Sequence, residues 1–410
     1  MANADRAVAD PGPVSPEHPA VGQQPAFERQ TKAPLPETPS SYGLTVLASG
    51  LERPWGLGFL PEGRMLVSER PGRLRIVGAD GQVSAPVAGV PEVRASGTSG
   101  LLDIAMDPQF AANSLVYFTY MEPHGELSGA VVARARLDWR SEQPALHDLS
   151  VIFQAEPLSA RDENGGSRLA FGRDGTLYIT IGDRFASDEA QNLGSHLGKV
   201  IRIRPDGGIP SDNPFVGQPG ARPEIYALGQ RNAQGLAFEP ESGALWEIEN
   251  GAKGGDELNL VRPGANYGWP IITYGRGYDD APIGVGTAKD GLEQPIYYWD
   301  PSIAPSGFTF YSSARAPHWR GNIFVASLKG QHVSRLVLEG GRVVAEEQLL
   351  GELHSRLRHI AEGPDGALYV LTDEENGRLV RVEPGQAPAR VRRELRGSDD
   401  ARPNPPGQSR

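Results

Sequence analysis

Four cationic side chains, Arg231, Lys329, Arg356 and Arg358, stand in short polar stretches between apolar runs (GQRNAQGLAF, ASLKGQHV and HSRLRHIAE). A guanidinium fork grips a carboxylate bidentately, and each charge-assisted contact is worth roughly 1.5–3 kcal/mol. If the four converge, a small, flat, multiply anionic ligand is the natural occupant, with Thr98, Asn232 and Asn250 as neutral partners. The competing arrangement spends these cations on Glu69, Asp183, Glu249 or Asp373. A second stretch, NGAKGGDELNLVRPGANYGW over 250–269, carries Glu257 and Tyr267 on a Gly-rich loop able to turn backbone carbonyls inward. Oxygen ligands of that kind suit Ca²⁺ better than Zn²⁺, though an acidic Gly loop can also be a plain turn. None of the histidines (18, 124, 147, 196, 318, 332, 354 and 359) has the spacing of a HExxH or similar metal motif. His359 follows the arginine pair directly and could face a sheet interior; His196 precedes a strand inside a polar loop. There is no cysteine, which excludes disulfide and thiol chemistry.

The elements that must position these residues repeat along the chain. Six inner segments recur: WGLGF (55–59), LLDIAM (101–106), SRLAF (167–171), QGLAF (234–238), SGFTF (306–310) and RHIAE (358–362). A second strand follows each within a few residues, as in RMLVSER (64–70), TLYITIG (176–182) and ALYVLTD (367–373), and a third usually completes the unit. Self-similar antiparallel units of this kind predict an all-β fold, a six-bladed β-propeller of four-stranded blades. In a blade the innermost strand lines the central channel and the next runs back beside it. Residues just before an inner strand and just after a second strand therefore share one mouth of the channel. That rule gathers Thr98, Ser99, Asp162, Glu163, Asn164, Arg231, Asn232, Arg356 and Arg358 with Glu69, Arg70, Asp183, Arg184, Glu249, Asn250, Lys329 and Asp373. Trp246, Trp269, Trp299 and Trp319 sit in strand or loop phrases that read as packing.

A net charge of −11 argues against nucleic acid or an anionic membrane surface as partner, so the cations that matter are local. No apolar run is long enough to span a membrane. Residues 1–41 and 385–410 are rich in proline and charge and read as a disordered arm and tail around a propeller at 42–384. The arm has no apolar h-region and reads either as a plain disordered arm or as the N-terminus of a mature export product; the second reading predicts a periplasmic or secreted protein.

The phrases PWGLGFLPEGRMLVSERPGRLRIV, NGGSRLAFGRDGTLYITIGDR, LGKVIRIRPDGGIPSDNPFVG, RPEIYALGQRNAQGLAF, GGDELNLVRPGANYGWP and PSIAPSGFTFY resemble the soluble PQQ-dependent glucose and aldose sugar dehydrogenases, in order, over about 42–384. The resemblance implies a six-bladed propeller with PQQ across the channel mouth and Ca²⁺ on its quinone side. It also implies hydride transfer from C1 of an aldose to give a lactone, with an external electron acceptor. It places Arg231 and Asn232 at the family's RN pair, Arg356 and Arg358 at its RxR pair, and Lys329 at the lysine beside the quinone. Gly251 and Ala252 fall where backbone carbonyls reach the cofactor Ca²⁺, and Glu257 and Tyr267 at a second, structural Ca²⁺ site.

The chain departs from the family elsewhere. The catalytic histidine, expected four residues before Arg168, is Asn164, with Glu163 beside it. Thr98 replaces a glutamine, Gln230 and Asn250 replace histidines, Ala252 a proline, and His359 an aspartate. Asparagine cannot act as a base at neutral pH, which leaves Glu163 as replacement base or a propeller that binds PQQ or another small anion without turnover. A Ca²⁺-dependent lactonase is the third expectation, since Glu163, Asn164, Asn232, Asn250 and Asp183 are suitable residue types. The subunit is expected to be a monomer or weak homodimer.

Overall fold

A computed structural model describes residues 23–385. Its strands form six sheets, five of four strands and one of three, arranged as the six blades. The inner strands are Pro54–Phe59, Leu101–Met106, Gly166–Phe171, Ala233–Phe238, Pro305–Phe310 and Leu357–Glu362, the first five leading blades 1 to 5 and the last blade 6. All six coincide with the repeated inner phrases.

Blade 1 departs from the four-stranded expectation, having only Pro54–Phe59, Met65–Glu69 and Arg73–Val77 in its ladder. Residues 83–88 fill the fourth place irregularly: Ser84 N–H donates to the Ile76 carbonyl and Val87 N–H to that of Leu74, both at 2.8 Å. Pro86 lies between them and has no N–H to continue the ladder. Blade 6 takes its outer strand from the other end of the described chain. Tyr42–Leu51 pairs antiparallel with Gly377–Pro384, Tyr42 opposite Pro384, and so closes the ring.

The apolar core is divided among the blade interfaces. One cluster joins blades 1 and 2 through Leu66, Leu74, Ile104 and Phe118, and another joins blades 2 and 3 through Tyr117, Leu169 and Ile179. Tyr178, Ala227, Leu245 and Tyr267 join blades 3 and 4. Corresponding clusters join blades 4 and 5, 5 and 6, and 6 and 1. Because both faces of a central strand are covered, strands such as Leu177–Ile181 (LYITI) are buried throughout rather than alternating. Each blade is stabilised by its neighbours, so the ring can exceed the size of one ordinary core.

The arm expected over 1–41 is not free from residue 23 onward. The Gln30 side chain is fully buried and donates to the Pro295 carbonyl at 2.8 Å, and Ala33 N–H donates to the Tyr297 hydroxyl at 3.0 Å. Ser40 bonds Glu347 and accepts from Trp319 Nε1 at 2.8 Å. The segment is a strap across blades 4 and 5, held by side-chain bonds that a composition argument does not see. Residues 1–22 and 386–410 lie outside the described residues.

Candidate active site at the channel mouth

The loops before the inner strands and after the second strands do meet at one mouth, and a hydrogen-bond chain ties blades 4 and 6 together there. Arg358 Nη1 donates to Gln234 Oε1 at 3.2 Å, and Gln234 Nε2 to Asn232 Oδ1 at 3.1 Å. Asn232 Nδ2 reaches Asn250 Oδ1 at 3.3 Å, and Asn250 Nδ2 reaches the Pro305 carbonyl of blade 5 at 2.7 Å. Arg231 Nη1 bonds the carbonyls of Asn250 and Gly251 at 3.1 and 2.6 Å. Lys329 leaves the second strand of blade 5 at the same end, its N–H on the Ile303 carbonyl at 3.0 Å. Thr98 is exposed and bonds the Asp162 carbonyl at 3.2 Å.

The competing ion pairs form at only one of the four acids. Glu69 is taken by Arg73 and Arg75, Asp183 by Asn164 and Trp269, and Glu249 by the backbone N–H groups of Arg231 and Asn232. Asp373 alone pairs with mouth cations, Arg358 at 3.2 Å and Arg356 at 3.4 Å. Burial pushes its carboxyl up, but Arg358, Arg356 and Arg70 outweigh burial and hold it below the ordinary aspartate value. Three guanidiniums thus face one carboxylate. Arg358 is almost wholly buried, and its Nε has no hydrogen-bond partner. Arg358 is buried while Arg70 and Arg356 lie nearer the surface, so the mouth carries a local excess of positive charge around one buried ion pair.

Arg168 closes the channel beneath. All five of its N–H groups are used: Nε donates to the Gln234 carbonyl at 2.7 Å, and Nη1 to Asp103 at 3.0 Å and His359 Nδ1 at 2.9 Å. Nη2 donates to the carbonyls of Ser306 and Arg358. With Trp55 3.9 Å beneath its guanidinium, this one side chain on blade 3 touches the other five blades. Burial, with Arg168 and Arg358 alongside, pushes the His359 imidazole well below its ordinary value, so a neutral ring accepts the hydrogen bond. Below this plug the channel holds a cavity of about 260 Å³ lined by Met106, Phe171, Leu236 and Phe308 among others.

Asn164, at the family histidine position, adopts φ 51° and donates Nδ2 to Asp183 Oδ1 at 2.9 Å. Glu163 is half-buried and turns its carboxylate towards Gly97 on the blade 2 loop, with Arg184 as a nearby charge. Trp246, Trp269, Trp299 and Trp319 are all buried, as the packing reading expects; Trp269 also donates Nε1 to Asp183 Oδ2 at 2.8 Å, with its ring 5.3 Å from the Arg231 guanidinium. Phe185 and Tyr278 flank the same guanidinium, so the mouth is more aromatic than the sequence suggests. The IGDR turn before Phe185 was the available signal; nothing local marked Arg168 or Tyr278.

The fit to calcium differs at the two expected places. The Gly251 carbonyl already serves Arg231 at 2.6 Å, so a cation there would compete with a guanidinium; Ala252 stands next to it. The Tyr267 hydroxyl is committed to the Leu260 carbonyl and the Arg262 N–H, not to Glu257. Glu257 instead lies opposite Glu249, and Asn259 opposite Glu247, in one register. Leu245 packs on blade 3 whereas Trp246 and Ile248 pack on blade 5, so alternation aims Glu247 and Glu249 at blade 3. Burial and mutual repulsion push Glu247 and Glu257 well up, and burial pushes Glu249 up to about 7. Glu247 Oε2 and Asn259 Oδ1 are buried without a partner. These orphaned oxygens suit a hard cation, although no group of three His, Asp or Glu among the described residues is arranged as a ready metal cage.

Comparison with known proteins agrees with this architecture. The glucose/sorbosone dehydrogenase family profile matches residues 51–381. The aldose sugar dehydrogenase YliI of Escherichia coli K12 is 39% identical over 350 residues, 84% of this chain and 94% of that protein. A glucose dehydrogenase crystal structure superposes with a TM-score of 0.80 at 45% identity, covering 83% of this chain and 99% of its own. The PQQ-bound aldose sugar dehydrogenase of Streptomyces coelicolor does so with 0.69 at 30% identity, covering 84% and 100%. With the six blades, the cationic mouth and these relatives together, the chain belongs to the glucose/sorbosone dehydrogenase family.

Proposed function

We propose that this propeller binds PQQ at the mouth and oxidises an aldose at C1 to the lactone, passing electrons to an external acceptor. The observation that supports it most is the unbalanced cluster of Arg70, Arg356 and Arg358 around Asp373. PQQ carries three carboxylates; Arg231, Lys329, Arg356 and Arg358 are the cations proposed to hold them, with Thr98, Asn232 and Asn250 as neutral partners. When bound, PQQ would supply a quinone able to accept the C1 hydride. The chain's own contribution is to fix and shield. Asp373 and Gln234 orient Arg358, Asn250 and Gly251 hold Arg231, and the Arg168 plug closes the channel behind the site. Asn164 can orient a sugar hydroxyl but not take its proton, so Glu163 is the proposed acceptor of the C1 hydroxyl proton.

Calcium in the seam between blades 3 and 4 would be held by Glu257 with Glu247 and Asn259, where it would neutralise buried carboxylates. No step is assigned to a metal at Gly251 and Ala252, because Arg231 competes for that carbonyl. The Asn164 substitution favours a second reading, a propeller that binds PQQ without turnover. A Ca²⁺-dependent lactonase gains no support from a mouth lined by guanidiniums. Export to the periplasm or medium, where sugar and acceptor would be met, goes with the first reading and is checked by cell fractionation. No helix among the described residues is long and apolar enough to cross a membrane. We propose a monomer or weak homodimer, checked by sedimentation.

The deciding experiment is a dye-linked aldose oxidation assay with added PQQ and Ca²⁺ beside a PQQ titration followed by absorbance. Turnover supports the dehydrogenase. Tight binding without turnover supports the second reading, and absence of binding refutes both.

A further inference from the structure

Phe185 is left without a task by the chemistry above. It follows two residues behind Asp183 on the blade 3 loop, with 44% of its surface exposed at the mouth and its ring centroid 5.8 Å from the Arg231 guanidinium carbon. Its backbone is left-handed, φ 59°, directly after Arg184 at φ 50°. Asn and Asp tolerate that region by bonding locally, and Gly enters it freely, but a phenyl ring gains nothing from it. Asp183 enforces the conformation by accepting the Phe185 N–H at 3.0 Å. The same carboxylate holds Asn164 at 2.9 Å and Trp269 at 2.8 Å. One buried anion therefore fixes the aromatic ring relative to the residue at the family's proton-acceptor position. Strained, over-determined geometry of this sort gathers at ligand sites.

Resting on the proposed dehydrogenase reading, we propose that Phe185 is a specificity-determining residue, the platform on which the apolar C–H face of a pyranose lies while its C1 hydroxyl faces Glu163 and Asn164. An aromatic ring presents a flat apolar surface at low conformational cost, and an aldose with all-equatorial hydroxyls presents a matching flat C–H face. Arg231 borders the platform and confines the sugar to it.

Phe185→Gly removes the ring at a position whose φ suits glycine, so the fold should unfold at the same temperature as the parent or higher. The expected result is a KM for glucose about tenfold higher, equivalent to about 1.4 kcal/mol, with kcat nearly unchanged and the PQQ titration unmoved. The platform predicts that the parent prefers glucose to galactose, whose axial C4 hydroxyl interrupts the flat face, that Phe185→Gly brings this preference towards unity, and that Phe185→Tyr keeps it. A loss of general structural integrity would not change that ratio. Unaltered KM and unaltered sugar preference in an active protein overturn the platform while leaving the dehydrogenase intact. Weaker PQQ binding by Phe185→Gly also overturns it, assigning the ring to the cofactor. A parent chain that neither binds PQQ nor oxidises any aldose overturns both readings, and does so before any variant is made.

Discussion

Replacing Arg358 with methionine tests the anion site at its most committed member. The side chain is buried, bonds Asp373 at 3.2 Å and Gln234 at 3.2 Å, and leaves Nε unpartnered. Three guanidiniums against one carboxylate leave a local excess of two positive charges; the substitution reduces it to one. One charge-assisted contact to a cofactor carboxylate is worth roughly 1.5–3 kcal/mol, so PQQ affinity should fall about 10- to 150-fold. Asp373 keeps Arg356, but that side chain is half exposed and screened, so it cannot take over the buried contact. Methionine fills much of the vacated volume, and the unfolding midpoint should move by only a few degrees. Arg358→Lys keeps the charge without the fork and should lie between parent and methionine variant. The assay is a PQQ titration by absorbance at two salt concentrations. An affinity within about twofold of the parent in Arg358→Met would refute the assignment, whatever happens to turnover.

Glu163→Gln should leave PQQ binding unchanged and lower kcat by about 10²–10⁴-fold if Glu163 takes the proton; parental kcat would transfer that role elsewhere. Calcium should raise the unfolding temperature of the PQQ-free protein, and Glu247→Gln should stabilise the chelated protein while shrinking the calcium response. A thermal scan with and without chelator reads both, and an unchanged midpoint on adding Ca²⁺ removes the seam site. Lys199 gives a pH test: burial pushes its ammonium down to about 7 although three backbone carbonyls accept its hydrogens at 2.7, 3.1 and 2.7 Å. The folded value lies below the unfolded one near 10.5, so the unfolded chain binds more protons in between and stability rises with pH from about 7. Denaturant unfolding at pH 7 and 9 should show the parent gaining on the order of 2 kcal/mol relative to Lys199→Met; parallel slopes would contradict it.

What the sequence made legible follows from which interactions are local. Blade number and inner strands were readable because one inner-strand phrase, followed by a turn and a second strand, repeats in each unit. The strand that closes the ring was not, since Tyr42 meets Pro384 across the whole described chain. Blade 1 lost its fourth strand to a single proline at 86, a local cue outweighed by the pattern around it. The topological rule depends only on strand direction, and the structure joins several of the residues it gathered, Arg358 to Asn232 and Asn250 through Gln234. It could not say which acids neutralise which cations: Glu69 and Asp373 occupy equivalent loops, yet only Asp373 faces the arginines of the site. Nor could it foresee that the Gly251 carbonyl would serve Arg231, a choice made by side-chain reach across blade 4.

Arg168 shows why such a site can be precise on a ring whose blades contact only their neighbours. Small displacements between blades would accumulate around a propeller, and the proposed anion site spans blades 4 to 6 and, through Arg70, blade 1. A guanidinium is rigid and planar, with five donors in fixed directions. Placed on the axis, Arg168 imposes one geometry on Gln234 of blade 4, Ser306 of blade 5 and Arg358 of blade 6, while Trp55 and Asp103 tie in blades 1 and 2. Two of the residues it holds by their carbonyls, Gln234 and Arg358, bond each other through their side chains at the mouth. The bonds under the floor thus fix the distance between groups that must meet one ligand above it. Burial pushes the Arg168 guanidinium down to about 10, still far above neutrality, so the plug stays charged and Asp103 remains its counter-ion. Only a neutral acceptor is then needed at position 359. Histidine supplies one where the family resemblance implies aspartate, and that change leaves one more net positive charge beside Arg358 for an anion to meet.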